Sequence, residues 1–570
     1  MSAFDTVIRG GTVVDGTGAE PFVADVGIAG GRIVAIAPGL ERGAEEIDAS
    51  GRLVTPGFVD VHTHYDGQVT WDNRLAPSSD HGVTTAVIGN CGVGFAPCRG
   101  DAGSRDAMVR LMEGVEDIPH PVLTEGLPWT WETFPEYLDF LASRQYDMDL
   151  AAYVPHAPLR VYVMGQRGAD REPATPADIA EMCRLLEQAL DNGALGIATS
   201  RSLFHRSSDG KAIPTYEAAQ AELLAFAEVL RAKGKGVFQI VEDVHLPGAS
   251  LSAMRELARV SGRPLTFSIG TGNNAPFAYP RLLEELAEAN AEGLMMKGQL
   301  MPRGIGMLLG FELTLNPFYT TPTFLRLAAL PLPERLEQLR RPEVRAAILS
   351  EPVDSDPALV LGRAVRDFEH MFVLGDEPDY EQPPERSIAG RAAAAGITPE
   401  ELAYDIMTEG ENGGLLYLAM ANYAGGSLDA VGEILSHPDV VLGLGDGGAH
   451  VGTICDASFT TFALSHWARD RKHGRKSVAD MVHRMTQATA RLIGLDDRGE
   501  LAVGKRADIN VIDLDHLALH APEVCHDLPS GGRRLLQRAT GYDLTMIAGE
   551  IVARNGQPTG ALPGRLIRVA

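Results

Sequence analysis

Two histidines stand one residue apart at the end of an apolar run, in the stretch GFVDVHTHYDG of residues 57–67. Side chains alternate along an extended strand, so His62 and His64 would project from the same face of one. Two imidazoles at this spacing are a pair of nitrogen ligands that suits zinc. The alternative is a strand-end pair that hydrogen-bonds to the backbone, and the bare pattern does not separate the two.

Two further residues of ligand type also follow apolar runs. Cys91 ends the run GVTTAVIGNC, beside glycines that permit close backbone approach, and Asp446 follows VVLGLG. A thiolate is a good zinc ligand, and a carboxylate can hold a metal or transfer a proton. Each has an alternative, because an isolated cysteine is often a small buried hydrophobe and an aspartate among glycines is often a turn residue. Their shared position at strand ends favours one metal site with His62 and His64.

Eight short β-rich runs alternate with helical segments along the middle of the chain. Helical stretches such as PATPADIAEMCRLLEQALDNG carry apolar residues at i, i+3 and i+4. Eight strand–helix units predict an α/β fold, a (β/α)₈ barrel with its active site at the carboxyl ends of the strands. A doubly wound sheet is the alternative, but no GxGxxG or Walker pattern follows an early strand. The runs are RLVTPGFVDVHTH, GVTTAVIGNCGV, DLAAYVPHAPLR, GALGIATSRS, KGVFQIVED, RPLTFSIGTG, GLMMKGQLMPRG and VVLGLGDGGAH.

The two ends of the chain are typical of short strands separated by glycine turns, as in DTVIRGGTVVDG near the start and DLTMIAGEIVARNGQPTG near the end. We therefore expect residues 1–55, as a small antiparallel sheet, and 496–570 to form one β-sandwich domain beside a barrel of residues 56–495. Insertions at about 100–145 and 305–435 are too long for simple connections. They are expected to cover the active site or make subunit contacts, with peripheral decoration as the alternative.

Composition narrows the class of protein. The 570-residue chain is 45% hydrophobic, which allows a sizeable core, and its net charge of −26 argues against a general binder of nucleic acid or anionic membrane. Five scattered cysteines without a CxxC pair favour a reducing compartment. The start lacks a signal-type pattern, and no apolar span of about 20 residues occurs. We expect a cytoplasmic homo-oligomer that acts on a small molecule.

Several of these stretches together resemble the amidohydrolase superfamily and, within it, the N-acyl-D-amino-acid deacylase (D-aminoacylase) family. The similarity runs over nearly the whole chain, and GNCG is the motif that points to the D-aminoacylase branch. The resemblance implies a barrel of the metal-dependent hydrolase type, with a β-sandwich made from both chain ends. The shared stretches are RGGTVVDGTG, GRLVTPGFVDVHTHYDG, HGVTTAVIGNCGVGFAP, GALGIATS, GDGGAH, MTQATARLIGL and GELAVGKRADINVID.

The resemblance also implies roles for individual residues. His62 and His64 match the metal ligands of the first strand, Cys91 matches the cysteine that bridges the metal site, and Asp446 matches the general acid and base of the eighth strand. His156 aligns with a histidine at the end of strand three, a candidate donor to the developing oxyanion; a histidine with satisfied hydrogen bonds is the alternative. The strand-four run GALGIATS lacks the lysine of hydantoinase-like enzymes.

The chain departs from the family pattern at strands five and six. Gln239 stands where the strand-five histidine is expected, and the run PLTFSIGTGNN has neither the strand-six histidine nor the lysine associated with a substrate carboxylate. A mononuclear Zn²⁺ site is then simpler than a dinuclear one, with Mn²⁺ or Fe²⁺ favoured if more carboxylates bind. Glu242, Asp243 and His245 lie just beyond Gln239 and could supply a rearranged ligand or be solvated loop residues.

The substrate side of the prediction depends on basic residues near strand ends. Arg160, Arg201, His205 and Arg303 are candidates to hold a substrate carboxylate, although each could form a surface or interdomain salt bridge instead. The resemblance implies a metal-dependent hydrolase of a linear C–N amide bond, most similar to N-acyl-D-amino-acid deacylases. Two alternatives are a cyclic-amide hydrolase of the hydantoinase or dihydropyrimidinase type, and a non-catalytic relative that binds a ligand or partner.

Overall fold

Eight parallel strands form a nearly closed barrel, which confirms the predicted fold class. The computed structural model describes residues 3–244, 246, 248–273, 278–353 and 364–569. Each barrel strand pairs with the next one along the chain, and each coincides with one of the eight predicted runs. Strands that are buried on both faces appear in the sequence as continuous apolar runs. Their positions could therefore be predicted from the length of each run and from the turn residues that flank it. Barrel strands 1 to 8 are Phe58–Asp60, Val83–Ile88, Asp149–Pro155, Gly196–Ser200, Val237–Val241, Leu265–Ile269, Met296–Leu300 and Val440–Leu442.

Amphipathic helices cover the barrel and have the expected start and stop signals. Thr175 begins helix Pro176–Asp191 with a capping box shared with Asp178. Gly234, in the left-handed conformation, ends helix Gln220–Lys233. The other helices are Gln68–Trp71, Ala102–Glu116, His120–Gly126, Phe134–Ala142, His156–Met164, Gln166–Ala169, Ser252–Ser261, Tyr279–Ala291, Pro322–Leu327, Leu332–Leu339, Pro342–Ser350, Ile388–Ala395, Pro399–Thr408, Asp429–Leu435, Phe459–Phe462, Ala463–Asp470, Val478–Met485 and Gln487–Leu492.

A nine-stranded sheet combines strands from both ends of the chain. The expected antiparallel sheet of the first residues is in fact mixed, because Phe4–Val13 pairs in parallel with Gly43–Asp48 and Leu53–Pro56. The hairpin of Phe22–Ala29 and Arg32–Ala37 lies at one edge of Phe4–Val13. The chain therefore crosses to the other edge, where the next strands run in the same direction as Phe4–Val13. The remaining strands are Phe22–Ala29, Arg32–Ala37, Ile509–Ile512, Tyr542–Ile547, Glu550–Arg554 and Gln557–Pro558.

The two insertions are folded structures. Strands Ile305–Leu309, Met371–Phe372 and Leu416–Ala421 form a small sheet in the second insertion, over a hydrophobic cluster of its own. Three helices form the first insertion. Two further strand pairs, Ala518–Leu519 with Ala539–Thr540 and Glu523–Leu528 with Gly532–Leu536, follow the barrel. Within the described residues, every helix is too short or too polar to cross a membrane.

A cluster of buried charges joins the barrel to the C-terminal part of the chain. The guanidinium of Arg498 donates to Oδ2 of Asp149 at 2.6 Å and to Oγ1 of Thr85 at 3.0 Å, on barrel strands 3 and 2. Arg506 Nη2 lies 2.9 Å from the same oxygen of Asp149. The side chain of Arg498 is 5% exposed and that of Asp149 is 3% exposed. Charges buried this far from water are tolerated only when paired.

Replacing Arg498 therefore tests this junction. We expect Arg498→Met to lower the free energy of unfolding by about 3–5 kcal/mol, because Asp149 loses its main buried counter-charge. Urea-induced unfolding of the intact protein measures the change. The control Arg491→Met removes an exposed guanidinium 3.9 Å from Glu500, and should change stability by less than about 1 kcal/mol. Equal urea midpoints for the two variants would contradict the assignment of Arg498 as the main counter-charge of Asp149.

Candidate metal centre

The ligand-type residues predicted from the sequence converge at the carboxyl end of the barrel. His62, His64 and Cys91 are buried, and one donor atom from each lies within 4.8 Å of the others. His62 Nε2 is 3.2 Å from Cys91 Sγ. Asp446 Oδ1 lies 3.5 Å from His62 Nε2 and 3.7 Å from His64 Nε2. Nitrogen, sulfur and oxygen donors therefore face one another around a single point.

The motif GNCG places Cys91 by a tight turn after barrel strand 2. Gly89, Cys91 and Gly92 all adopt left-handed backbone conformations, with φ of 80°, 55° and 68°. The side-chain amide of Asn90 donates to Val87 O at 2.8 Å and holds the turn against its own strand. This sequence of conformations folds the chain back over the strand end, which brings the thiol to His62.

Gln239, at the strand-five position where the family pattern has histidine, serves the backbone of this turn. Its Oε1 accepts a hydrogen bond of 3.0 Å from the Cys91 N–H. Its Nε2 is buried without a hydrogen-bond partner. Barrel strand 6 has no histidine and contributes Ser268 to the cavity wall, and the Ser268 hydroxyl is likewise buried without a partner.

Each metal-type histidine has a neighbour at Nδ1, and only that of His62 forms a hydrogen bond. His62 Nδ1 is 2.7 Å from Oε1 of Gln299, on barrel strand 7. His64 Nδ1 is 3.2 Å from Oε1 of Glu116, the last residue of helix Ala102–Glu116 in the first insertion. The other oxygen of Glu116 is 3.5 Å from Nε2 of His450. Partners of this kind orient metal-binding imidazoles, and here they leave each Nε2 facing Asp446.

Burial dominates the electrostatics of the cluster. It raises the pKa of Asp446 to about 7 and raises the pKa values of Glu116 and Cys91 well above their ordinary range. It lowers the pKa of His62 to about 4 and that of His64 well below its usual value. Removal from water disfavours the charged form of every one of these groups. The imidazoles are therefore neutral, which is the form that binds metals.

The cluster contains polar atoms that the protein leaves unsatisfied. Such atoms are rare in folded proteins, because each forfeits its hydrogen bonds to water. A divalent cation among the donors would offset the burial of Glu116, Asp446 and a Cys91 thiolate and would reverse their pKa shifts. The donor set therefore fits a metal ion. The unsatisfied atoms here are Asp60 Oδ2, His64 Nδ1, both oxygens of Glu116, Gln239 Nε2 and Gln299 Nε2.

The donors open onto a cavity of about 240 Å³. Glu116 reaches it from the first insertion, and Ile305 and Ala421 line it from the second, so both insertions contribute to its wall. Glu242 and Asp243, considered as rearranged ligands, line the cavity but lie outside the close group of donors. His245, the third such residue, lies outside the described residues.

His156 and Arg160 lie elsewhere, in a buried network beneath helix Gln220–Lys233. The two ring nitrogens of His156 are 2.8 Å from Thr199 Oγ1 and 2.7 Å from Glu222 Oε1. Arg160 Nη1 donates to the same oxygen of Glu222 at 2.7 Å. Neither residue lines the cavity. Both polar groups are already engaged, so the geometry gives no support to His156 as an oxyanion donor or to Arg160 as a carboxylate holder.

Of the other predicted substrate-binding residues, only His205 lines the cavity. Arg201 lies behind the wall, where its Nε donates to Oε1 of Glu242 at 2.7 Å. Arg303 is buried and donates to Oδ1 of Asp456 at 2.8 Å. These two guanidinium groups form ion pairs with wall residues, which matches the salt-bridge alternative for both.

Three residues of the site were missed by the sequence reasoning. Glu116 sits in an insertion whose fold the sequence did not predict, although the insertion's position after a barrel strand was a signal. Gln299 ends a predicted strand but has no ligand-type side chain. His450 stands in GDGGAH, close enough to Asp446 to have been a candidate.

Comparison with known proteins agrees with this fold. The Amidohydrolase family model matches residues 45–553. The chain is 29% identical to an uncharacterised protein of Mycobacterium tuberculosis (strain H37Rv), with 97% of this chain and 92% of that protein covered. It is 27% identical to D-aminoacylase of Alcaligenes xylosoxydans xylosoxydans, with 99% and 97% covered.

Among solved structures, a zinc and phosphonate complex of N-acyl-D-glutamate deacylase from Bordetella bronchiseptica has a TM-score of 0.64 at 23% identity, with both chains fully covered. A barrel with clustered metal-type donors at its carboxyl end defines the class as a metal-dependent hydrolase. The chain belongs to the amidohydrolase family and acts on carbon–nitrogen bonds other than peptide bonds. The predicted family is confirmed.

The glycine before Asn90 provides a test of the turn. At Gly89 an added Cβ would lie 2.4 Å from Tyr153 O, at a φ of +80°, whereas at Gly396 it would meet nothing within 4 Å, at a φ of +71°. Gly89→Ala should lower the free energy of unfolding by more than the roughly 1 kcal/mol expected of Gly396→Ala. Thermal unfolding of both variants compares them; equal Tm values would show that the close approach is unimportant.

Proposed function

We propose that this amidohydrolase removes the acyl group from an N-acylated amine by hydrolysing a linear amide bond, as an N-acyl-D-amino-acid deacylase does. The observation that carries the proposal is the convergence of His62, His64 and Cys91 within 4.8 Å, with Asp446 Oδ1 beside both imidazoles. The similarity to a D-aminoacylase over almost the entire chain supports the choice of a linear amide.

One Zn²⁺ ion is the metal that this donor set favours. His62, His64 and Cys91 supply two nitrogens and a sulfur, which is the usual number of protein ligands in a catalytic zinc site, and Asp446 offers an oxygen beside them. Among the described residues, this is the only group of three or more such side chains with its donor atoms so close. The related N-acyl-D-glutamate deacylase structure contains zinc. Participation of Glu116 as a ligand would shift the preference toward Mn²⁺ or Fe²⁺.

When bound, the metal would polarise the amide carbonyl and lower the pKa of a nearby water molecule. Asp446 is placed to accept the proton that this water loses and to return it to the departing amine nitrogen. Gln299 holds the ring of His62 by a hydrogen bond, and Gln239 holds the turn that carries Cys91. The carboxylate of Glu116 lies beside the ring of His64.

The alternative of a cyclic-amide hydrolase gains no particular support. Barrel strand 4, Gly196–Ser200, has no lysine at its carboxyl end, where hydantoinase-like enzymes use one. A solved dihydropyrimidinase is 15% identical with a TM-score of 0.51.

All five cysteines are free, in accordance with the proposed cytoplasmic location. Homo-oligomer formation stays a prediction.

Metal analysis tests the ligand assignment. Elemental mass spectrometry of protein grown with added zinc should find one equivalent in the wild type and almost none in His62→Ala or Cys91→Ala, because each removes a direct ligand. Glu116→Gln should weaken zinc binding by about 10–100-fold, since it removes the negative charge beside Nδ1 of His64. Cys183→Ala, at a half-buried cysteine on helix Pro176–Asp191, should keep its metal. A metal-free wild type would rule out the proposed site.

Asp446 is the proposed general acid and base of the reaction. Asp446→Asn should reduce kcat for release of the amine from N-acetyl amides by about 10²–10⁴-fold, because an amide cannot take the proton from water. Metal content, measured in parallel, separates lost chemistry from lost metal. Asp439→Asn, before the amino end of the same strand and paired with Lys297, is the matched control. Full activity in the Asp446 variant would exclude this residue as the general base.

A further inference from the structure

The charge of the cavity wall limits the substrate. Among the described residues that line the cavity, none is a lysine or an arginine. The acidic lining residues are Glu116, Glu242, Asp243, Asp446 and Asp456. Apart from the proposed metal ion, a substrate carboxylate bound here would find neither an ammonium nor a bidentate guanidinium among those residues.

The two nearest guanidinium groups are already paired with carboxylates of the wall. Arg201 is held by Glu242 through Nε at 2.7 Å, and its Nη1 donates to Gln220 Oε1 at 3.3 Å. Arg303 is 1% exposed, donates to Asp456, and lies with its guanidinium carbon 4.1 Å from the ring centre of Tyr380. Reaching a substrate would require either group to abandon a charge-assisted hydrogen bond.

The remaining basic side chains on the wall are histidines. Nε2 of His450 is 3.5 Å from Glu116. Burial lowers the pKa of His205 to about 4, so its imidazole is neutral at neutral pH. Neutral imidazoles can donate hydrogen bonds but do not balance the charge of a carboxylate.

Asp243 differs from the other wall carboxylates. It accepts hydrogen bonds from Ser202 Oγ at 2.6 Å and Leu203 N at 2.9 Å. No described residue forms an ion pair with it, whereas Glu242 and Asp456 each have an arginine. These two hydrogen bonds fix the carboxylate of Asp243 just beyond the carboxyl end of barrel strand 5. Its remaining lone pairs can accept a hydrogen bond from a substrate. A negative charge fixed in a partly desolvated wall attracts cations and repels anions.

On the basis of the proposed amide hydrolysis, we propose that the N-acylated amine on which this enzyme acts carries no carboxylate near the amide, and presents instead a neutral hydrogen-bond donor or a cation to Asp243. Aminoacyl amides and acylated diamines have this chemistry. Free N-acyl amino acids, whose carboxylate lies one carbon from the amide nitrogen, would be poor substrates.

A pair of substrates that differ only in this charge tests the inference. With the zinc-loaded enzyme, kcat/KM for N-acetyl-D-leucinamide should exceed that for N-acetyl-D-leucine by at least about tenfold, because the anion is repelled by Asp243. Preference for the acid would overturn the inference and leave the proposed function intact. Hydrolysis of neither compound, nor of any N-acetyl amide in a wider panel, would count against the proposed function itself.

Binding provides a readout that does not depend on turnover. Calorimetric titration of the zinc-loaded enzyme with the two products should show D-leucinamide, a cation, binding at least about tenfold more tightly than zwitterionic D-leucine. Equal or reversed affinities would overturn the inference even if no acylated compound is hydrolysed.

Variants of the wall give the sharpest comparison, because the ratio of kcat/KM for the two substrates does not depend on the fraction of active enzyme. Asp243→Asn should lower the amide-to-acid ratio at least about fivefold, and Glu242→Gln should lower it by freeing Arg201. Glu256→Gln, whose exposed side chain contacts Gln220 outside the cavity, should leave the ratio unchanged. A ratio unaffected by both wall variants would refute the role of Asp243 and its neighbours.

Discussion

Two imidazoles, a thiol and the carboxylate of Glu116 are buried near one another at the carboxyl end of the barrel, and the half-buried carboxylate of Asp446 lies beside them. In apolar surroundings each of these groups favours its neutral form, and several of their polar atoms have no hydrogen-bond partner in the protein. A divalent cation resolves both problems, because it attracts the carboxylates and a thiolate and accepts the neutral imidazoles as ligands. The GNCG turn, the outer partners Gln299 and Glu116, and both insertions can be understood as parts that hold this cluster in place.

The candidate metal site differs from the family pattern at barrel strands 5 and 6. At strand five a glutamine replaces a histidine and accepts the hydrogen bond of the Cys91 backbone, so the position still serves the site without binding metal. Strand six has no histidine, and its Ser268 lines the cavity. The first insertion supplies Glu116. The remaining donors form one compact group.

The arginines next to the cavity are paired with carboxylates of its wall. Arg201 and Arg303, which a sequence search selects as carboxylate holders, balance Glu242 and Asp456 and are not available to a substrate. We therefore propose that the substrate is recognised by the other groups of the described wall, which are imidazoles, apolar side chains and the carboxylate of Asp243. Fold and metal site place the chemistry in a known family, whereas the wall sets which amides reach it.

Sequence alone determined the barrel, its eight strands and the convergence of His62, His64, Cys91 and Asp446, because strand ends of a parallel barrel meet at one face and local patterns mark those ends. It also located the mixed sheet of the two chain ends, although not its parallel pairs. Tertiary structure alone decided the partners of the basic residues and the roles of Glu116 and Gln299. The reason is physical: a side chain's type is visible in the sequence, but whether its charge is free or paired depends on residues distant in the chain, such as Arg303 and Asp456, that only folding brings together.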